Sequence, residues 1–205
     1  MNEEFYKLAL VRHYFSFTPQ CIALELPFLA GQRRADAVLV MDDKVHAIEI
    51  KSDRDNLDNL LQQISDYTRV FDFVSIFLSK SHLENARKSL PLNVGLITLE
   101  DGEVAIKRKA RQIKRLDKKA LSLSLDRFSL LDLLNTYGVQ YPNYIGIDEL
   151  ARRLRKLGTI QSLRGQFRKQ IFRKYQDSFQ TFQREVGLSI HLEDLLNLGI
   201  QRELR

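Results

Sequence analysis

The sequence predicts an α/β fold: a mixed sheet flanked by helices, followed by a C-terminal helical extension. Three observations predict it. In the first half, short apolar runs of strand length alternate with stretches of helical period. Their order is helix, three strands, helix, strand. Beyond about residue 110 the strand signal gives way to basic, leucine-rich helical patterns. This divides the chain into a core at 1–110 and a basic helical extension at 111–205.

Residues 3–16 read as a helix, with Asn2 as cap, Glu3 and Glu4 at its positive end, and Phe5, Leu8, Val11, Tyr14 and Phe15 at helical spacing. Residues 20–28 read as a strand with Glu25 in its interior, and Gly31 marks a turn. The stretches 34–40 and 45–51 read as a hairpin turning at Asp42-Asp43. Residues 54–71 read as an amphipathic helix capped by Asp53 or Asp55, with Leu57, Leu60, Leu61, Ile64 and Phe71 as its stripe. A buried strand at 72–79, a short helix at 82–89 and a strand at 94–99 follow. Asp101-Gly102 turns the chain into 103–108. Residues 111–136 look helical, and 138–146 form a linker. Asp148 starts a basic helix that Gly158 stops. In 166–184, Phe167, Ile171, Phe172, Tyr175, Phe179 and Phe182 recur at helical spacing, which favours core packing over base stacking. A last amphipathic helix is expected at 189–203.

The apolar content of 44% is that of a globular chain. Cys21 is the single cysteine, so no internal disulfide can form and a cytoplasmic location is expected. The charged N-terminus is no signal peptide, and no apolar run reaches the roughly 18 residues of a membrane span. Charge is split. Residues 1–103 hold 11 basic and 16 acidic side chains, net −5, whereas 104–205 hold 21 and 10, net +11. The basic half suits phosphate contacts, which are salt-dependent and blind to sequence.

Asp36, Glu49 and Lys51 interrupt the two hairpin strands. Charges inside apolar strands are costly to bury unless paired or bound to metal. Glu49 and Lys51 share a face because strand side chains alternate with period two. Asp36 lies across the hairpin. Two converging carboxylates suit a hard divalent cation. An acid-x-Lys pair is weak by itself: about 1.6 matches are expected by chance from this composition, and Asp42/Lys44 and Asp117/Lys119 match as well. Glu49/Lys51 stands apart because it lies in an apolar strand with an acid one strand earlier. A plain salt bridge between Lys51 and Glu49 is the alternative.

With Asp36 followed by Glu49-Ile50-Lys51 after a hairpin, the chain resembles the PD-(D/E)XK (restriction-endonuclease-like) nuclease superfamily, with Ala35 in place of the proline. Gln63-Ile64-Ser65-Asp66-Tyr67 resembles the Gln-x-x-x-Tyr helix motif of the RecB-like branch, and Glu25 resembles an upstream acid that some members add to the metal site. The likeness covers roughly residues 1–100 and is closest to small stand-alone bacterial members. It implies the α-β-β-β-α-β core and a Mg²⁺-dependent nuclease, with Mn²⁺ as a substitute and DNA as the expected substrate. Asp36 and Glu49 would hold the metal, with the Ile50 carbonyl as a third ligand and Glu25 completing the shell. Lys51 would orient water or stabilise developing charge. Gln63 and Tyr67 would support the site or touch the substrate backbone. A homodimer is compatible with this reading.

The alternative is a non-catalytic DNA-binding protein that uses a nuclease-like scaffold and the basic helices, with 148–157, Gly158 and the next helix as a helix-turn-helix. A third reading is a protein–protein adaptor using the leucine-rich C-terminal helices. His13, His46 and His191 lack metal-ligand spacing, and His82 suits a cap or surface position. No Gly-rich phosphate loop or Gly-x-Ser-x-Gly elbow is present.

Overall fold

A computed structural model describes residues 2–142 and 144–199. Helix α1 (Glu3–Phe15) is followed by strands β1 (Cys21–Phe28), β2 (Arg33–Met41) and β3 (Lys44–Lys51), helix α2 (Leu60–Thr68) and strand β4 (Phe73–Leu78). This is the α-β-β-β-α-β order expected from periodicity. Helix α3 (Leu83–Ser89) and strands β5 (Gly95–Glu100) and β6 (Glu103–Arg108) complete one six-stranded sheet, ordered β1-β2-β3-β4-β5-β6. The sheet is mixed. Hairpin neighbours pair antiparallel, while β3/β4 and β4/β5 pair parallel because α2 and α3 are the crossovers between them.

The two faces carry different layers. His46 and Phe77 face α1, whose Tyr14 and Tyr6 rings pack edge-on against them. Glu49 and Lys51 alternate with these and face α2, whose Tyr67 packs on Phe28. Helices α4 (Lys118–Ser124), α5 (Arg127–Thr136), α6 (Ile147–Leu157) and the 26-residue α7 (Ile160–Glu185) make up the helical half. Helix α7 packs along edge strand β1, from Phe167 against Phe71 to Phe179 and Phe182 against Phe15. An edge strand left open would be a template for unwanted pairing. The last strand stops near residue 110, yet one apolar core continues across that point.

Several boundaries differ from those the sequence suggests. The helix expected at 54–71 is confined to Leu60–Thr68. Asp55 does not cap it; its carboxylate accepts from the Ser52 amide (2.7 Å) and hydroxyl (2.6 Å), closing a local turn. The helix expected over 111–136 is two helices behind an extended stretch at 109–117, because Asp117 and Asp126 each take up helix N-terminal amides and start a new helix. Helix α7 follows directly after Gly158, as expected, and starts where Thr159 and Ser162 form a reciprocal cap. Within 189–203, Glu193–Leu198 is a 3-10 turn, and 200–205 lie outside the described residues. His82, expected at a cap or surface position, is the N-cap residue of α3, although its side chain caps nothing and its Nε2 is buried. The α7 rings Phe167, Tyr175, Phe179 and Phe182 are each at most 2% exposed, so they are core and do not reach bases. Among the described residues no helix is long and apolar enough to cross a membrane.

If the two halves share one core, Phe167→Ala should cost about 3–5 kcal/mol. Denaturant unfolding followed by both far-UV circular dichroism and tyrosine fluorescence should shift as a single transition. Two separated transitions, with only one displaced, would show two independent units.

Candidate functional site

The hairpin register builds the site. Val38 pairs with Ala47 and Ala37 with Ile48; one further step sets Asp36 opposite Glu49, and opposed residues project to the same face. Both acids, with Lys51, therefore meet on the α2 face near the carboxyl end of β3. The Asp36 carboxylate accepts a hydrogen bond from the Ile50 amide (Oδ2, 2.7 Å). Lys51 Nζ lies 2.7 Å from Glu49 Oε1, the two side chains being 13% and 5% exposed. The Tyr67 hydroxyl donates to Glu49 Oε2 and lies 3.0 Å from the Arg34 carbonyl. Tyr67 is buried, and desolvation followed by the nearby Glu49 and Asp36 charges pushes its pKa upward, which keeps it a donor.

Asp36 is the perturbed acid. Burial first, and then the Glu49 charge, push its pKa up to about 7, against the opposing hydrogen bond from the Ile50 amide. A carboxyl in that state is poised for a cation, whose charge would restore ionisation. The donor set is open to one. Asp36 Oδ1 makes no hydrogen bond among the described residues, and each Glu49 oxygen keeps a lone pair beyond its Lys51 or Tyr67 contact. The Ile50 carbonyl turns to the same side as the Ile50 amide, toward β2 beyond the last paired residues of that hairpin.

Glu25 lies opposite Asp36, in the gap between the Leu24–Ala37 and Leu26–Ala35 pairs. Its backbone is left-handed (φ 57°), a strained state for a non-glycine residue and one that concentrates at functional positions. Its carboxylate is engaged by Lys7 and Arg34, so it is already neutralised. Lys7 also reaches Glu3 at 2.6 Å; burial pulls its pKa down, but the bonds to Glu25 and Glu3 outweigh that and raise it. Carboxylate oxygens of Glu3, Glu25 and Asp36 all lie within 4.8 Å of one another. Glu3 is the acid that sequence reasoning missed. As the first residue of α1 it reads as a partner of the helix dipole, and no local pattern ties it to a strand that follows later. Gln63 lies one turn before Tyr67, half-buried, and its side chain makes no hydrogen bond among the described residues.

A model of the bacteriophage P4 protein cII family matches residues 1–199. The chain belongs to that family. Protein cII of Enterobacteria phage P4 is 27% identical over 155 residues, covering 72% of this chain and 58% of the phage protein. The chain therefore matches less than two thirds of the length of that family relative. Among solved structures, a protein of unknown function from Silicibacter pomeroyi is similar over 68% of this chain and 94% of its own, at 16% identity and a TM-score of 0.43. A likeness at that score does not establish a shared fold.

The Asp36 shift has a sign that can be tested. Between the unfolded carboxylate range near pH ~4 and the folded value of about 7, the native state holds a proton that the unfolded chain has lost. This group's contribution to stability therefore falls as pH rises through that window. Asp36→Asn should flatten that part of the stability–pH curve and raise stability at pH 8 by on the order of 1–2 kcal/mol without metal. Urea denaturation from pH 4 to 8 measures it; an unchanged slope would refute the assignment. Tyr67→Phe, which strips Glu49 of a buried donor, should cost about 1–3 kcal/mol in the same measurement.

Proposed function

We propose that the protein is a divalent-metal-dependent nuclease, hydrolysing phosphodiester bonds in nucleic acid, with DNA as substrate and Mg²⁺ or Mn²⁺ as cofactor. The observation that carries this reading is the convergence of Asp36, Glu49 and Lys51 on one face of the β2–β3 hairpin, with Asp36 left undercharged beside Glu49. The strand order and the Gln63/Tyr67 spacing also support membership of the PD-(D/E)XK superfamily. A divalent cation between Asp36 and Glu49 would offset phosphate charge and make a neighbouring water more acidic.

The chain's own groups supply the rest. Tyr67 holds Glu49 in place through Oε2. Lys51 is fixed by Glu49 Oε1 and presents its remaining donors to an attacking water or a phosphoryl oxygen, where charge develops. Glu25 lies beside Asp36 with its charge already met by Lys7 and Arg34. The working place would be the cytoplasm, with its free magnesium and reduced thiols.

A second reading, a DNA-binding protein without catalysis, draws on the extended 109–117 stretch. Arg111, Lys114 and Arg115 are exposed there, and Arg87 and Arg111 crowd Arg108. Such cations suit a phosphate backbone.

Labelled single-stranded, duplex and RNA substrates with Mg²⁺ or Mn²⁺ separate the two. Cleavage should fall by roughly 100-fold or more in Asp36→Ala and Lys51→Ala, while Lys51→Ala stays folded and still binds DNA. Wild-type cleavage by Lys51→Ala would sink the nuclease. Salt-sensitive binding with no divalent-ion uptake at Asp36 and Glu49 would leave the binder.

A further inference from the structure

The face of the sheet opposite the acidic site holds a second feature. Helix α1 has 13 residues and spans about 20 Å, so it stops before covering the end of the sheet where β3 and β4 begin. Beyond its last turn lies a cavity of about 670 Å³. That is the size of small-molecule sites, which run from ~300 to 1,000 Å³. It is built on strands that also carry the acidic site: β3 sends His46 into its wall and Glu49 to the far side.

Its walls are flat rings. Tyr14, Phe17 and Phe73 line it, and His46 lies edge-on to Tyr14 at 6.2 Å. Ile97 and Ile106 add aliphatic surface. Phe17 is 54% and Ile106 46% exposed, so two of the chain's exposed large apolar residues face this one opening. Single exposed apolar residues need no explanation, but clustered ones mark binding surfaces. Polar groups line it too: His13, and a pair in which His46 Nε2 lies 2.9 Å from Ser75 Oγ. Burial pushes the His46 pKa down to about 4, so this pair is neutral. Gly95 makes room for it, since a Cβ there would come within 2.2 Å of the Ser75 hydroxyl.

The lining cations are Lys44, Arg108 and Lys109, against one carboxylate, Asp42. Arg108 donates from Nε to the Val94 carbonyl and from Nη2 to the Pro91 carbonyl, which fixes the guanidinium without cancelling its charge. Lys44 and Lys109 have no ion-pair partner among the described residues. Rings alone would also attract a cation. The uncompensated lysines and arginine oppose that and select the opposite charge.

We propose that this cavity is a binding site for a flat aromatic anion, its ring packed against Tyr14, Phe17 and Phe73 and its charge facing Lys44 and Lys109. The site is separate from the acidic cluster and does not depend on nuclease activity. The anionic group is the shared chemistry of a mononucleotide and an aryl carboxylate.

Fluorescence titration with 8-anilino-1-naphthalenesulfonate, beside its neutral analogue N-phenyl-1-naphthylamine, tests it on the full chain. The sulfonate should saturate at one per chain and bind more tightly than the neutral probe. Ile106→Trp, which fills the mouth, should weaken it about tenfold. Lys44→Glu with Lys109→Glu should weaken it roughly fivefold and leave the neutral probe unchanged. Asp36→Ala should bind it like the wild type. Circular dichroism confirms folding, and the surface lysine pair keeps the test alive if the tryptophan variant fails to fold. Displacement by deoxyadenosine monophosphate assigns the charge to phosphate, and displacement by indole-3-acetate assigns it to carboxylate; either supports the site. The proposal is overturned if neither displaces the probe, or if charge reversal leaves sulfonate binding unchanged.

Discussion

The register of the β2–β3 hairpin is the constraint on which the acidic site depends. Because strand side chains alternate with period two, a slip of one residue would send Asp36 to the α1 face while Glu49 and Lys51 stayed where they are. Buried apolar neighbours on both sides resist that slip: Ala35, Ala37, Val38, Leu39 and Val40 on β2, and Val45, Ala47, Ile48 and Ile50 on β3, are all at most 4% exposed. The apolar sheet thus holds two carboxylates together that would otherwise move apart.

That enforced proximity explains the groups around it. Glu49 sits deepest, and it is met on one oxygen by Lys51 and on the other by Tyr67. Glu25 is met by Lys7 and Arg34. Among the described residues Asp36 has no cation of its own, only the Ile50 amide, and it is the acid whose pKa climbs. Of the four neighbouring acids, Glu3, Glu25 and Glu49 each meet a cation, and Asp36 is left short of charge. The same β3 strand presents an uncharged imidazole to a cavity with a cationic mouth on its other face. One strand therefore separates two environments of opposite sign.

Much of this was legible from local pattern. Strand boundaries fell within a residue or two of expectation, because apolar runs and the Asp42-Asp43 turn are short-range signals. The pairing of Asp36 with Glu49 and Lys51 was legible too, since a hairpin's register follows from its turn. Local chemistry also misled. Asp53 and Asp55 resembled helix caps, but Asp55 closes a turn with Ser52, and α2 starts only at Leu60. The basic run before Asp117 resembled a helix. It is extended instead, held by the Arg111 and Ile113 amides bonding to the Asn93 and Asp72 carbonyls, partners distant in sequence.

By itself the sequence determined the order of elements, the face each strand residue takes and the composition of the acidic trio, because these follow from periods of two and 3.6 residues and from short turns. Only the tertiary structure decided that Glu3 and Lys7 of α1 lie against Glu25, that the Tyr67 hydroxyl meets Glu49 in particular, that α7 covers edge strand β1, and that a cavity is left beyond α1 beside His46. Each of those depends on where one element is laid against another, and helix packing position is set by summed side-chain contacts across the core, which no local stretch of chain encodes.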